Sequence, residues 1–196
     1  MEKIKTVCVF CASSPHISQI YKEEAFLLGK LLAANGVDVI TGGGSKGLMA
    51  SVTDGVIEGG GNITAVIPGF MVDAGWLHKG IGDVVVTADM QERKKIMIER
   101  SDAVIALPGG CGTLDELAEV LTLKQLGILS SPIILLNTDG FYNLLVSHLK
   151  MLADYGFMSP DYVSMWSVAS NPHDVIDIVS KPVDCGGFCG KLSINR

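Results

Sequence analysis

Long apolar runs and an excess of positive charge are both missing from this sequence. No stretch approaches the roughly 18 apolar residues of a membrane-spanning helix, and the opening MEKIKTVCVFC lacks the longer apolar stretch of a secretory signal. The 21 acidic residues outnumber the 15 basic ones, for a formal net charge of −6. Such a surface disfavours nonspecific binding to nucleic acid or to anionic membranes. We therefore expect a cytoplasmic protein with no nucleic-acid partner and no membrane partner.

Cysteine is also sparse. The five cysteines are scattered along the chain and odd in number, which favours free thiols in a reducing compartment over a disulfide framework. Cys185 and Cys189 are too few to form a metal site by themselves. The four histidines show no metal-type spacing. We predict no metal site.

What the sequence does contain is a regular alternation of short apolar runs and longer amphipathic segments. This alternation predicts an α/β fold, with a mostly parallel, doubly wound sheet in a single domain. The domain is expected over residues 1–182, followed by a glycine-rich, polar and mobile tail at 183–196. Strands are predicted at 4–10, 37–41, 62–67, 83–88, 102–107, 132–137 and 163–169; helices at 18–35, 46–58, 90–100, 113–127, 140–154 and 172–180; and a loop at 68–82.

The first glycine-rich stretch, TGGGSKG (41–47), has the G-x-G-x-x-G spacing of a dinucleotide-binding fingerprint. That fingerprint normally follows the first strand and is completed by an acidic residue about 20 positions later. Here the glycines follow the second predicted strand, and the next strand ends at Val66-Ile67-Pro68-Gly69 with no carboxylate. NAD is therefore disfavoured. Either a tight turn or close approach to another ligand explains the glycines equally well at this point.

The second stretch, PGGCGTLDE (108–116), is more informative because it joins a predicted strand to a helix. Its glycines allow backbone N–H groups to face an anion at the positive end of that helix. Thr113 and Glu116 could instead form a capping box, but that explanation leaves Gly109, Gly110 and Gly112 unexplained. An anion site with a nearby carboxylate explains the whole stretch.

Several of these segments follow predicted strands on the same side of the sheet. In an open parallel sheet, ligands bind beyond the carboxyl ends of the strands. Both glycine stretches lie at such ends, as do Ser13 and the first turn of the helix MQERKKIMIER (90–100). We expect these loops to converge on one crevice, where Arg93 could bind a phosphate or ribose hydroxyls.

The combination of M-x-x-R-K (Met90, Arg93, Lys94) with PGGxGTxxE resembles the signature of the LONELY GUY (LOG) family. These are cytokinin riboside 5′-monophosphate phosphoribohydrolases, formerly labelled lysine decarboxylases. The resemblance spans most of the chain: it also includes FCASS (10–14), GGGSKGLMA (42–50), LTLKQLGI (121–128) and LLNTDGFYNLL (135–145).

The resemblance implies a Rossmann-like homodimer or larger homo-oligomer that needs no cofactor. Its expected reaction is hydrolysis of the N-glycosidic bond of a purine nucleotide monophosphate to free base and ribose 5-phosphate. Arg93 and Glu116 are then the catalytic pair. The residues expected to bind substrate are Ser13, Gly43, Gly44, Lys94, Gly109, Gly110, Gly112, Thr113, Asp115 and Thr122, with Gly110, Gly112 and Thr113 holding the phosphate.

One segment departs from the family pattern. Many members carry a glutamate in the loop after the third strand, where this chain has Gly75 and Trp76. Trp76 either stacks on a base or covers apolar surface, and the sequence leaves both readings open. The missing glutamate also keeps a second function in view, a non-catalytic carrier of a nucleotide or of molybdenum cofactor. A decarboxylase would need pyridoxal phosphate on a lysine, for which only Lys46 lies in a glycine stretch.

Overall fold

The computed structural model describes residues 3–181, and within that range it forms one seven-stranded sheet. All six strand pairings are parallel, in the order β4-β3-β2-β1-β5-β6-β7. The strands are β1 (Thr6–Phe10), β2 (Asp38–Thr41), β3 (Ile63–Pro68), β4 (Asp83–Thr87), β5 (Ala103–Ala106), β6 (Ile133–Leu136) and β7 (Trp166–Ala169). The α/β prediction is confirmed, and the described sheet is wholly rather than mostly parallel.

Helices cover both faces of this sheet. They are α1 (Gln19–Ala34), α2 (Gly47–Glu58), α3 (Gly69–Asp73), α4 (Met90–Glu99), α5 (Cys111–Gln125), α6 (Asn143–Asp154) and α7 (Pro172–Val179). Successive side chains of a strand point to opposite faces, so β1 contributes Val7 and Val9 to one core and Cys8 and Phe10 to the other. The first core packs against α1, α2 and α7, and the second against α4 and α5.

The strand order places a topological switch point between β1 and β5. From β1 the chain proceeds outward through β2 and β3 to β4, then returns to the other side of β1 as β5. Loops leaving β1 and β5 therefore diverge and open a crevice at the carboxyl ends of the strands. This is the edge at which the sequence places both glycine stretches.

The segment 68–82, predicted to be a loop, begins with the short helix α3. The helix ends in a Schellman motif: Gly75 donates its N–H to the Val72 carbonyl, and Trp76 donates to the Met71 carbonyl. Gly75 has a φ of 73°, a left-handed conformation that favours glycine. Short-range backbone bonds, which hydrophobic periodicity does not report, give this segment its structure.

The same segment is tied to the first glycine stretch. Ser45 donates its N–H to the Trp76 carbonyl at 2.9 Å, and His78 donates to the Gly43 carbonyl at 2.8 Å. His78 Nε2 also lies 3.2 Å from an Asp54 carboxylate oxygen on α2. The 69–78 segment is thus a fixed wall beside the glycine stretch.

Two further boundaries differ from prediction. The helix expected at 140–154 begins at Asn143, because Thr138–Gly140 forms a 3-10 turn with Asp139 at a positive φ of 51°. The strand expected at 163–169 is confined to Trp166–Ala169, because Pro160–Met165 is also a 3-10 helix.

The predicted mobile tail, with Cys185 and Cys189, lies outside the described residues. Within residues 3–181 no helix is both long and apolar enough to cross a membrane.

Candidate active site

A buried ion pair joins the two predicted catalytic residues. Arg93 on α4 and Glu116 on α5 are each only 6% exposed, and Arg93 Nη1 lies 3.4 Å from Glu116 Oε1. Arg93 Nε donates a hydrogen bond to the Val66 carbonyl on β3 at 3.2 Å, which fixes the plane of the guanidinium. Its third nitrogen, Nη2, makes no hydrogen bond to any described residue and lies against Gly42. That nitrogen is available to a ligand.

Burial dominates the ionisation of Glu116. Removal from water raises its pKa from 4.5 to about 7, although Arg93 and, more weakly, Lys94 act in the opposite direction. Arg93 does lower the carboxyl pKa, but less than burial raises it. Glu116 therefore titrates near neutrality, in the range suited to moving protons at physiological pH.

Lys94 lies beside this pair and faces two other carboxylates of α5. Its Nζ lies 2.8 Å from Asp115 Oδ2 and 2.8 Å from Glu119 Oε2. The hydrogen bond to Asp115, followed by that to Glu119, raises the pKa of the Lys94 ammonium. Four of the predicted site residues, Arg93, Lys94, Asp115 and Glu116, are thus brought into one charged cluster between α4 and α5.

The PGGCGT loop leads into α5 with open space around two of its glycines. The helix begins at Cys111 with Gly110 as its N-cap, and no side chain caps it. A β-carbon added at Gly110 or Gly112 would meet nothing within 4 Å, whereas one at Gly109 would collide with Thr113. Backbone near Gly110 and Gly112 is accordingly accessible to a ligand at the positive end of a 15-residue helix.

The capping-box alternative for this loop is wrong. Thr113 lies inside the first turn of α5 and is buried, and neither Thr113 nor Glu116 caps the helix. The helix begins two residues earlier than predicted, so neither residue occupies the position that a cap requires.

The predicted convergence of loops is found in part: Ser13, the first glycine stretch and Arg93 line one crevice, whereas no residue of the PGGCGT loop does. Ala12, after β1, links the two regions: it donates its N–H to the Pro108 carbonyl at 3.1 Å and accepts a hydrogen bond at 2.9 Å from the N–H of Leu48, just after the first glycine stretch. Ser13 follows it and lines a crevice of about 480 Å³. The crevice is walled by the first glycine stretch, by the 69–78 segment and by Arg93.

The glycines of the first stretch face different neighbours. Gly44 lines the crevice, and an added β-carbon at Gly42 would collide with Arg93 Nη2. At Gly43, where φ is 71°, an added β-carbon would lie 2.7 Å from Ala65 Cβ on β3. Gly47 lies against the backbone of Ala12–Ser14. Contact between Gly43 and a ligand remains a prediction.

Thr122 lies apart from the charged cluster. It sits on the exposed side of α5, and its hydroxyl donates to the Ala118 carbonyl at 2.8 Å. No residue of α5 lines the crevice. A role for Thr122 in binding remains a prediction.

Sequence reasoning missed several residues of the site. Glu119 pairs with Lys94 and lies one helical turn after Asp115, a spacing that could have identified it. The crevice is also lined by Met49, Ile67 and Met71, which no signal in the sequence separated from ordinary core residues. Lys46 and Trp76 line it as well; the sequence had left a role in base contact open for Trp76 and had assigned none to Lys46.

The fold and the site together define a Rossmann-like α/β protein with a buried arginine–glutamate pair beside a glycine-lined crevice. Residues 49–179 match the family model described as "Possible lysine decarboxylase". The chain is 44% identical over 158 residues to the cytokinin riboside 5′-monophosphate phosphoribohydrolase LOG1 of Arabidopsis thaliana, covering 81% of this chain and 74% of that protein. It is 42% identical over 175 residues to a probable rice enzyme of the same name, LOGL2, covering 89% and 72% respectively. The chain belongs to this LOG family.

Solved structures agree on the fold. The molybdenum cofactor binding protein of Rippkaea orientalis aligns with a TM-score of 0.70 at 25% identity, covering 91% of this chain and 96% of that one. The molybdenum cofactor carrier protein of Chlamydomonas reinhardtii aligns with a TM-score of 0.71 at 24% identity, with the same coverage. At this level of identity the second likeness shows the fold alone.

The decarboxylase description does not fit the crevice chemically. Pyridoxal phosphate needs a Schiff-base lysine together with a partner for its pyridinium nitrogen, commonly a carboxylate. Lys46 lines the crevice, but none of the lining residues is an aspartate or a glutamate. The described crevice offers one half of such a site without the other.

Proposed function

We propose that this chain hydrolyses the N-glycosidic bond of a purine nucleoside 5′-monophosphate, releasing the free base and ribose 5-phosphate. The observation that carries the proposal is the buried contact between Arg93 and Glu116 at the edge of a crevice that Arg93 lines. The names of the relatives support it, since the LOG1 and LOGL2 proteins are named phosphoribohydrolases of cytokinin riboside 5′-monophosphate.

The chemistry of the bond suits this pair. As the C–N bond breaks, positive charge develops on the ribose, as in other glycoside cleavages. The ionised form of Glu116 stabilises that charge and orients or deprotonates the attacking water. Arg93 offers its free Nη2 to the sugar or phosphate while Nε stays bound to the Val66 carbonyl. The guanidinium is therefore held in position before the substrate arrives.

The phosphate is assigned to the PGGCGT loop. Support comes from the open space at Gly110 and Gly112 and from the helix dipole of α5. Because binding energy from a remote phosphate can assist the reaction at the sugar, the nucleoside should be a far poorer substrate than the monophosphate.

The decisive experiment compares wild-type protein with Glu116→Gln. Both are incubated with adenosine 5′-monophosphate and with isopentenyladenosine 5′-monophosphate, and free base is measured by chromatography. Loss of the carboxylate should lower kcat by about 10²- to 10⁴-fold, with nucleotide affinity largely retained. Glu99→Gln, a change of the same kind at the exposed end of α4, controls for the loss of a carboxylate outside the site.

Two results would contradict this proposal. Release of no base from any purine monophosphate by the wild type would exclude the activity. Turnover retained in Glu116→Gln would leave the activity but remove Glu116 from its mechanism.

The second candidate, a non-catalytic carrier, is favoured only by the fold likeness to the molybdenum cofactor proteins. Tight nucleotide binding without product would support it.

We also propose that the chain forms a homodimer or larger homo-oligomer in the cytoplasm. An exposed stripe on α6, formed by Leu144, His148, Met151 and Tyr155 at helical spacing, is a candidate contact surface for a second copy. The three cysteines within residues 3–181, Cys8, Cys11 and Cys111, are free thiols, which suits a reducing compartment.

A further inference from the structure

An exposed tryptophan at the mouth of the crevice has no structural explanation in the core. Trp76 is 53% exposed, yet it lines the crevice together with Met71, Ala74 and Gly75. The other tryptophan of the chain, Trp166, is buried on β7. Exposing about half of a large aromatic side chain leaves unfavourable apolar surface in water, unless a ligand covers it.

A purely structural alternative is that Trp76 stabilises the end of helix α3. In a Schellman motif, the second residue after the C-cap, here Trp76, often makes an apolar contact with a residue in the last turn of the helix, here Met71. Such a contact needs only one side of the indole. The exposed half of Trp76 remains unexplained, and both Met71 and Trp76 face the crevice rather than the core.

The backbone holds Trp76 firmly in place. Its N–H donates to the Met71 carbonyl at 3.0 Å, and its carbonyl accepts from Ser45 N–H at 2.9 Å. The next bond along, from His78 N–H to the Gly43 carbonyl, locks the segment to the glycine stretch. A ring on so fixed a backbone is a preorganised contact surface, which reduces the entropy cost of binding.

The crevice is lined by both polar and apolar side chains. Ser13, Ser45, Lys46 and Arg93 provide the polar groups, whereas Met49, Ile67, Met71 and Trp76 provide the apolar ones. With the phosphate assigned to the PGGCGT loop and the ribose beside the Arg93–Glu116 pair, the apolar side chains of the crevice are left to contact the base.

We propose that Trp76 is a specificity-determining residue that stacks on the purine of the substrate and so selects nucleotides over sugar phosphates. This inference rests on the proposed function for its substrate class. Trp76 stands where many family members carry a glutamate, and the inference gives it contact with the planar base as its role.

Binding is measured calorimetrically in a Glu116→Gln background, which prevents turnover during the titration. The probes are adenosine 5′-monophosphate and ribose 5-phosphate. Because aromatic stacking on a base contributes about 1–3 kcal/mol, Trp76→Ala should weaken adenosine 5′-monophosphate binding by roughly 5- to 150-fold. Ribose 5-phosphate affinity should stay unchanged. Trp76→Phe, which keeps a ring, should bind the nucleotide within about threefold of the parent, since ring stacking persists.

Tryptophan fluorescence gives an independent reading. Trp166 lies on the edge strand β7, at the far side of the sheet from β3 and β4. Adenosine 5′-monophosphate should change the emission of the parent protein, and this change should disappear in Trp76→Phe. The matched control is Phe70→Ala: Phe70, on the preceding helix α3, is 55% exposed but does not line the crevice. It should affect neither affinity nor emission.

Unchanged nucleotide affinity in Trp76→Ala would overturn the inference, as would equal losses for nucleotide and sugar phosphate. Absence of nucleotide binding by the parent would overturn it too. The proposed function is tested separately, by base release from the wild-type protein. If nucleotide binding depends on Trp76 but the wild type releases no base, this inference stands and the hydrolase activity is excluded.

Discussion

At the scale of single residues, the most informative value is the ionisation of Glu116. Its pKa is raised to about 7 chiefly by burial. The carboxylate is the form that stabilises positive charge on the ribose, so kcat/KM should rise with pH and level off above an apparent pKa near 7. A pH profile measured with adenosine 5′-monophosphate checks this. A rise of kcat/KM centred near pH 4.5, the ordinary glutamate pKa, would contradict it.

The same shift affects stability, with a definite sign. Between about pH 4.5 and pH 7 the folded chain holds the Glu116 proton and the unfolded chain releases it, so this group's contribution to stability falls as pH rises. Glu116→Gln removes that dependence. The free energy of unfolding of the variant minus that of the wild type should therefore increase over this range, by about 3 kcal/mol at most. Urea unfolding of both proteins from pH 4.5 to pH 8 measures it, and a flat difference would refute the pKa assignment.

Gly42 offers a way to move Arg93 without changing it. A β-carbon at this position would displace Arg93 Nη2, so Gly42→Ala should move the guanidinium from its present position beside Glu116. Misplacement of a catalytic group by about 1 Å can lower the rate on the order of 10²-fold. Gly82→Ala is the control, since a β-carbon there would meet nothing within 4 Å. Steady-state kinetics with matching thermal melts should show lost activity only for Gly42→Ala, and unaltered kinetics would exclude this contact.

At the scale of elements, helix α2 begins against the usual rule. Its N-cap is Lys46, which offers no acceptor to the first backbone N–H groups and places a positive charge at the positive end of the helix. Met49 and Leu48 donate their N–H groups to the Ala12 carbonyl instead. Lys46 is unfavourable for its own helix, yet it lines a crevice that has no aspartate or glutamate among its lining residues. We therefore expect Lys46 to attract an anion to the crevice.

Lys46→Gln should therefore separate stability from binding. Removing the charge should stabilise the fold by about 0.3–1 kcal/mol, because the helix dipole no longer opposes it. Affinity for adenosine 5′-monophosphate should fall, and its salt dependence should weaken. Denaturant unfolding and calorimetry at two salt concentrations measure both effects. Lys30→Gln, which breaks the surface pair with Glu58 and the cation–π contact with Phe26, should leave nucleotide affinity unchanged.

Elements also show how far the sequence could be read. The strands and most helices follow from apolar periodicity, because burial on a parallel sheet imposes it. Helix α3 does not, since five residues held by a Schellman motif carry no periodic signal. Arg93 and Glu116 were found through their motifs. Lys46 and Glu119 were not predicted as site residues and Trp76 was left with two readings, because their roles depend on which loops and helices become neighbours.

At the scale of the whole molecule, the exposed stripe on α6 bears on assembly. Leu144 is 85% exposed and shares its helical face with Met151 and Tyr155. If a second copy covers this face, Leu144→Glu combined with Met151→Glu should shift the chain toward monomer in sedimentation velocity, because buried charges oppose association. Lys150→Glu, on an exposed position of the same helix outside the stripe, is the control. An oligomer unaffected by the double change would place the contact elsewhere.

The wall that carries Trp76 contributes neither Arg93 nor Glu116. The Schellman bonds hold its own backbone together, and the bonds from Ser45 to Trp76 and from His78 to Gly43 tie it to the glycine stretch. Such a segment can be exchanged as a unit. A chimera in which residues 69–82 come from a relative with a glutamate there should inherit that relative's choice of base while keeping this chain's cleavage machinery. The fold thus places base recognition and bond cleavage on different segments, so that evolution can change the choice of base without altering the Arg93–Glu116 pair.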